Sequence, residues 1–160
     1  HPKPLPTAVP ASAAIAAASQ GMELTIAHPP GYELDPDDMA TIRGIATQSG
    51  GSVSVTHDLD GSLNDANVVY VKSWGAISHF GRPADEAALR APHREWRMTT
   101  ARTQLLGPDG FVMHCLPVRR NIEIDDGVLD GPRSAVVDQA ENRLHAQRAL
   151  LIELIGDMTL

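Results

Sequence analysis

Apolar positions along this chain follow two periods. Residues 22–27, 52–56, 67–71, 111–114 and 134–137 are short apolar or β-branched runs, and SVSVT at 52–56 alternates strictly. Such runs, set between turn-forming residues, predict strands. The longer segments between them predict helices. Residues 7–20 are small on every face, with Gly21 as the stop. Asp35 is a cap residue with Pro36 in the first turn, and the helix it opens runs to about Gln48 before Ser49-Gly50-Gly51. Residues 59–65 predict a short helix, 94–106 a longer one, and Gly107-Pro108-Asp109-Gly110 a turn. Asp125 and Asp126 read as the start of another helix. Residues 141–155 place Leu144, Leu151 and Ile155 on one stripe, with Leu150 and Leu154 beside it. Residues 72–92 show no regular period and are expected to be irregular.

Strands alternating with helices imply an α/β fold, a doubly wound parallel sheet of about five strands with helices on both faces. In such a sheet ligands bind beyond the carboxyl ends of the strands. The distinctive stretches fall there. HPPGY follows the first strand, KSWG the third, HCLPVRRN the fourth and DQAENR the fifth. Four loops are thus expected to converge on one edge.

Composition narrows the function. The chain has 160 residues, one domain's worth, and a net charge of −7 with no block of like charges. A nucleic-acid surface is not expected, because phosphate neutralisation needs clustered Lys and Arg. Aromatic residues are only 4% of the chain, so aliphatic side chains must build the core. A single cysteine excludes an internal disulfide and a multi-cysteine metal cage, and it fits a reduced, intracellular setting. The seven histidines are scattered without ligand spacing, and no apolar run approaches membrane-spanning length. The opening HPKPLPTAVP holds four of the twelve prolines and is stiff and loop-like. It reads as an entry in mid-chain, with a preceding domain expected.

The chemistry-bearing candidates cluster in the strand-end loops. Cys115 beside His114 suggests a nucleophile and its base. Neighbours on a strand point to opposite faces, however, so these two side chains should diverge. A buried cysteine packing as a small apolar residue is the competing reading. Arg119, Arg120 and Arg143 follow the last two strands, and guanidinium forks match phosphate and carboxylate oxygens, so an anion site is expected. Lys72 adds a cation at the same edge. Trp74 has two readings, packing and ligand contact. Glu123 reads either as a solvated side chain or as a carboxylate near the ligand. No GxGxxG or Walker sequence supports a dinucleotide or P-loop site.

HCLPVRRN resembles the signature of the ornithine and N-acylornithine carbamoyltransferases. HPKPLPTAVPAS, HPPGYELDP at 28–36, KSWGA at 72–76 and ENRLHAQRALL at 141–151 resemble the N-acylornithine branch, and the likeness covers essentially the whole chain. Enzymes of this family have two α/β domains, one for carbamoyl phosphate and one for the amino-acid acceptor. The resemblance implies that residues 1–160 are the acceptor-binding domain with its C-terminal helix, without the carbamoyl-phosphate domain. It implies transfer of the carbamoyl group to the δ-amine of an N-acyl-L-ornithine, in arginine biosynthesis, with no metal or organic cofactor. Cys115 and Leu116 would contact carbamoyl phosphate and acceptor, with a cis peptide between Leu116 and Pro117. Arg143 would bind the carbamoyl oxygen or phosphate, Lys72 the acceptor, and Trp74, His114, Pro117 and Arg119 would complete the substrate site. The family implies a cytoplasmic homotrimer and, at HPKPLP, the rigid loop of a chain knot. Plain ornithine enzymes carry an Asp and an SMG sequence near KSWG, where a carboxylate holds the α-ammonium. A lysine there favours an acylated acceptor. Residues 78–96 follow no family pattern. A carbamoyltransferase for another acceptor, or a non-catalytic amino-acid-binding domain, would also fit.

Overall fold

The computed structural model describes residues 5–156. Most of the HPKPLP loop lies outside them, so its expected role in a knot does too. Helix α1, Ala8–Ser19, carries small side chains because it packs close: Ala11, Ala14 and Ala18 are buried. It lies against α2, Pro36–Ser49, whose first turn is fixed by the Asp35 carboxylate accepting from the Asp37 N–H at 2.9 Å and by Pro36 at the start. The two helices meet at their C-terminal ends, where Ser49 Oγ donates to the Ala18 carbonyl at 2.5 Å. Gly21 sits there at φ +71°, and a Cβ would come within 2.8 Å of the Ser49 carbonyl oxygen. Only glycine fits both the left-handed turn and the close approach.

Strand β1, Glu23–Ala27, pairs in parallel with β2, Ser52–Thr56, in the register Glu23↔Ser52. Strand β3, Val68–Tyr70, pairs in parallel with β4, Phe111–Met113, in the register Val68↔Phe111. The short helix α3, Leu59–Leu63, joins the two pairs. A continuous five-stranded sheet is therefore not what forms among the described residues. The expected fifth strand is one bridge: Val112 N–H donates to the Arg133 carbonyl at 2.7 Å and Ala135 N–H to the Val112 carbonyl at 2.9 Å. The chain then turns at once into α6, Val136–Ile155. Val136 and Val137 look β-prone, but the Gln139 N–H already bonds the Ala135 carbonyl at 2.9 Å, so helical bonding begins before a ladder can grow.

Two other expectations are corrected. Within 72–92 the chain forms a 3₁₀ turn, Ile77–His79, and α4, Pro83–Arg90. Pro83 opens α4, and Asp85 and Glu86 sit in its first turn, where carboxylates favour the helix dipole. Residues 94–106, expected as a helix, are mostly irregular. Within them only the turn Arg102–Leu105 is 3₁₀; another, Ala91–His93, lies just before them. The Arg102 guanidinium binds the carbonyls of Glu95 at 2.6 Å and Arg97 at 2.8 Å, which draws them out of any helical ladder. Met98, the next residue, bridges to Ile124 instead. Asp126 does open a helix, the single turn α5, Asp126–Leu129.

Two aliphatic cores result. Ile26, Leu34, Ile42 and Ala46 pack with α1 against β1 and β2. Leu63, Met98, Leu106, Val112, Ile124 and Val128 pack around β3 and β4. Helix α6 joins neither beyond its start. Val136 is buried, but Leu144, Leu150, Leu151, Leu154 and Ile155 are exposed.

Candidate functional site

The carboxyl ends of β1 and β3 run into two of the distinctive loops, and the segment after α4 faces them. A cleft opens between these pieces, lined by His28, Tyr32, Lys72, Trp74, Arg90 and Trp96 among others. Trp74 serves both readings given by its sequence context. Its indole N–H donates to the Tyr32 carbonyl at 2.8 Å and its ring packs on the first core, while the ring also borders the cleft. Arg90 pairs with the fully buried Glu86, one helical turn back, and the Tyr32 hydroxyl donates to Glu86 at 3.3 Å. Burial raises the Tyr32 pKa, partly opposed by Arg90. Among the described residues no Asp or Glu lines the cleft; with the Arg90 charge offset by Glu86, Lys72 gives it its positive character.

The third loop, after β4, is held from behind. His114 is fully buried. Its backbone N–H donates to Gln139 Oε1 at 2.9 Å, and its Nδ1 accepts the Leu116 N–H at 3.0 Å. Its Nε2 faces Glu123 Oε1 at 3.6 Å. The other Glu123 oxygen accepts the Arg119 N–H at 2.8 Å. Burial pushes the Glu123 pKa up, but His114 facing it, the bond from the Arg119 N–H and the nearby Ser73 outweigh it and hold the carboxyl at about 2. Gln139 also donates to the Tyr70 hydroxyl at 3.2 Å, so one amide ties the ends of β3 and β4. Burial raises the Tyr70 pKa; Gln139 opposes this, and Cys115 adds to it. The Leu116–Pro117 peptide is cis, and Leu116 has φ +50° with its side chain exposed.

Lys72 and Trp74 therefore share the cleft, while Cys115, Leu116 and Pro117 form the outer side of the next turn. His114 and Cys115 lie just beyond the end of β4 and differ in burial, His114 fully buried and Cys115 half-buried. His114 turns inward and supports the turn. Arg119 is exposed. Arg120 is neutralised on the surface by Asp126 and Asp130, each at 2.8 Å, and is not the free anion-binding group its position suggested. Arg143 is exposed on α6, and among the described residues no hydrogen bond or ion pair ties it to the turn. Four residues were not assigned roles from the sequence: Glu86, Arg90, Gln139 and the buried partner role of Glu123. Gln139 stood in the DQAENR loop but had no motif of its own. Glu123 is neither solvated nor in the cleft. The Met98–Ile124 bridge pulls its backbone inward, with Met98 N–H donating to the Glu123 carbonyl at 2.9 Å.

A parallel α/β domain with cation-bearing loops at its strand ends defines a class that binds anionic small molecules there. Residues 7–154 match the family model described as aspartate/ornithine carbamoyltransferase, Asp/Orn binding domain, and the chain belongs to this family. It is 42% identical over 157 residues to an N-acetylornithine carbamoyltransferase of Xanthomonas campestris pv. campestris, covering 98% of this chain and 46% of that protein. It is 40% identical over 136 residues to an ornithine carbamoyltransferase of Bifidobacterium longum subsp. infantis, covering 85% of this chain and 41% of that one. Among solved structures, acetylornithine transcarbamylase complexed with acetylcitrulline superposes with a TM-score of 0.92 at 41% identity, covering 96% of this chain and 46% of that chain. A mutant N-acetyl-L-ornithine transcarbamylase complexed with carbamyl phosphate and N-succinyl-L-norvaline gives a TM-score of 0.93 at the same identity, with 96% and 46% covered. The chain spans about half the length of the curated relatives it matches.

Proposed function

We propose that this chain is the acceptor-binding domain of a two-domain carbamoyltransferase, and that the whole protein transfers a carbamoyl group from carbamoyl phosphate to the δ-amine of an N-acyl-L-ornithine. The observation that carries the choice of acceptor is the cleft itself, which presents Lys72 and has no carboxylate on its described walls, the Arg90 there being paired with Glu86. A free α-ammonium would be repelled there, and an α-carboxylate would be held. Acylation removes the ammonium charge and leaves the carboxylate. The likeness to N-acetylornithine carbamoyltransferases points the same way. In the reaction the neutral δ-amine attacks the carbamoyl carbon. The new C–N bond forms, the bond from that carbon to the phosphate oxygen breaks, the amine proton is lost and phosphate departs. Leu116 would aim its carbonyl at the attacking amine, and Cys115 would contact carbamoyl phosphate. Arg143 would stabilise charge on the carbamoyl oxygen or the phosphate. Positioning and fixed cations supply the rate. By the same family reasoning the enzyme would be a cytoplasmic homotrimer of arginine biosynthesis.

The test is phosphate release by the full-length protein that carries this chain, supplied with carbamoyl phosphate and either ornithine, N-acetylornithine or N-succinylornithine. Release dependent on an acylated acceptor is expected, and it identifies the acyl group. A second reading, free ornithine as acceptor, is favoured by the relatives named ornithine carbamoyltransferase. A higher kcat/KM for ornithine would establish it. No release with any of the three would leave a binding domain without this activity.

A further inference from the structure

Behind the turn after β4 lies a carboxylate that the proposed reaction does not use. Glu123 is 3% exposed and joins two segments: the turn, through His114, and the chain just beyond it, through the Arg119 N–H. His114 Nε2 and Glu123 Oε1 face each other across 3.6 Å, both shielded from solvent, and neither has a hydrogen-bond partner elsewhere. A buried carboxylate oxygen and a buried ring nitrogen are costly unless they serve each other.

We propose that Glu123 is a positioning residue: facing His114 Nε2, it keeps the ring proton on that nitrogen, so that Nδ1 stays an acceptor for the Leu116 N–H and fixes the Cys115–Leu116 backbone. A neutral imidazole has one donor and one acceptor nitrogen, and the group beside one decides the role of the other. With the proton on Nδ1, two donors would confront each other at the 3.0 Å separation of His114 Nδ1 and Leu116 N. Leu116 would lose its tether. A leucine at φ +50° keeps that conformation only when its surroundings over-determine it. Glu123 therefore acts on the reacting region through His114 and touches no substrate.

Two measurements test this, and only the second rests on the carbamoyl-transfer reading. Long-range proton–nitrogen spectra of the full-length protein, with His114 assigned by its loss in His114→Gln, should show the ring protonated on Nε2 alone. A ring protonated on Nδ1, or on both nitrogens, overturns the proposal whatever the enzyme does. In the kinetic arm, Glu123→Gln puts an amide where the carboxylate was. We expect kcat per site, counted with a bisubstrate analogue, to fall about 10–100-fold, the range seen when a partner that orients a ligand-contacting group is lost. KM for the acceptor should change little, as for an interaction expressed in the transition state. Glu123→Asp, which keeps the charge, should recover part of the rate. A Glu123→Gln enzyme with unchanged kcat per site, even if less of it folds, overturns the proposal. If the wild-type protein turns over no acceptor, the carbamoyl-transfer reading fails and the spectra alone decide about Glu123. If Glu123→Gln does not fold, Glu123→Asp and the wild-type spectra decide.

Discussion

Glu123 is ionised in the interior, and its pKa sets a pH window for stability. Its folded pKa, about 2, lies below the ordinary 4.5. A depressed pKa contributes stability above the unfolded value and loses it as pH falls through the folded one. The contribution should thus be complete above pH 4.5 and lost towards pH 2. Its size is on the order of 3 kcal/mol, from the conversion of about 1.4 kcal/mol per pKa unit. Urea unfolding at stepped pH should show that loss in the wild-type chain and a flatter profile in Glu123→Gln. An unchanged profile would mean that the carboxylate is not held as described. Gln139→Leu tests the other side of the turn. It leaves the His114 N–H without its acceptor and the Tyr70 hydroxyl without its donor, and it should cost about 1–3 kcal/mol in the same measurement. Lys72→Met should raise KM for the acylated acceptor roughly 10–100-fold, the equivalent of one lost charge-assisted hydrogen bond, while KM for carbamoyl phosphate changes less. Sequence reading could see Lys72 and Trp74, because they stand at a strand end. It could not see that His114 faces Glu123, since that contact depends on the Met98–Ile124 bridge between distant segments.

Among the elements, those with local signals were legible and those set by long-range bonds were not. Asp35, Pro36 and Gly50 delimit α2, and each acts on its own backbone through a cap, a fixed φ or a left-handed φ of +79°. The loss of a helix at 94–106 has a tertiary cause. Arg102 binds two carbonyls there and also Asp60 at 2.6 Å, and no pattern in the segment reveals a partner on α3. The fifth strand was expected at 134–137 and does not form, for the opposite reason. Val136 and Val137 have high strand propensity, but propensity yields to the helix that starts on Ala135. Gly21→Ala probes a legible element where packing adds to conformation. The substitution forces a Cβ to within 2.8 Å of the Ser49 carbonyl oxygen and holds alanine at φ +71°. The α1–α2 ends should part, at a cost of more than about 1 kcal/mol, the penalty for a left-handed L-residue alone. A lowered thermal midpoint, with the spectrum of the helices retained, is the expected result.

At the scale of the whole molecule, stability is unevenly distributed. The two aliphatic cores hold α1, α2 and the four strands, whereas among the described residues α6 is anchored only in its first turn, by the buried Val136 and by Gln139. Over the rest of its 20 residues the large apolar side chains face outward, Val137 at 75% and Leu154 at 68% exposure. A helix in a protein draws most of its stability from packing a buried face. The apolar stripe seen in the sequence was a correct sign of a helix, but it was no guide to what the helix touches. In the 160-residue chain, amide hydrogen exchange should therefore be slow in α2, β1 and β2 and fast through the second half of α6, where opening needs no core disruption. Protection in that half as strong as in α2, persisting on dilution, would mean that α6 folds back on its own domain. Protection that disappears on dilution would mean that its apolar face is covered by a second copy.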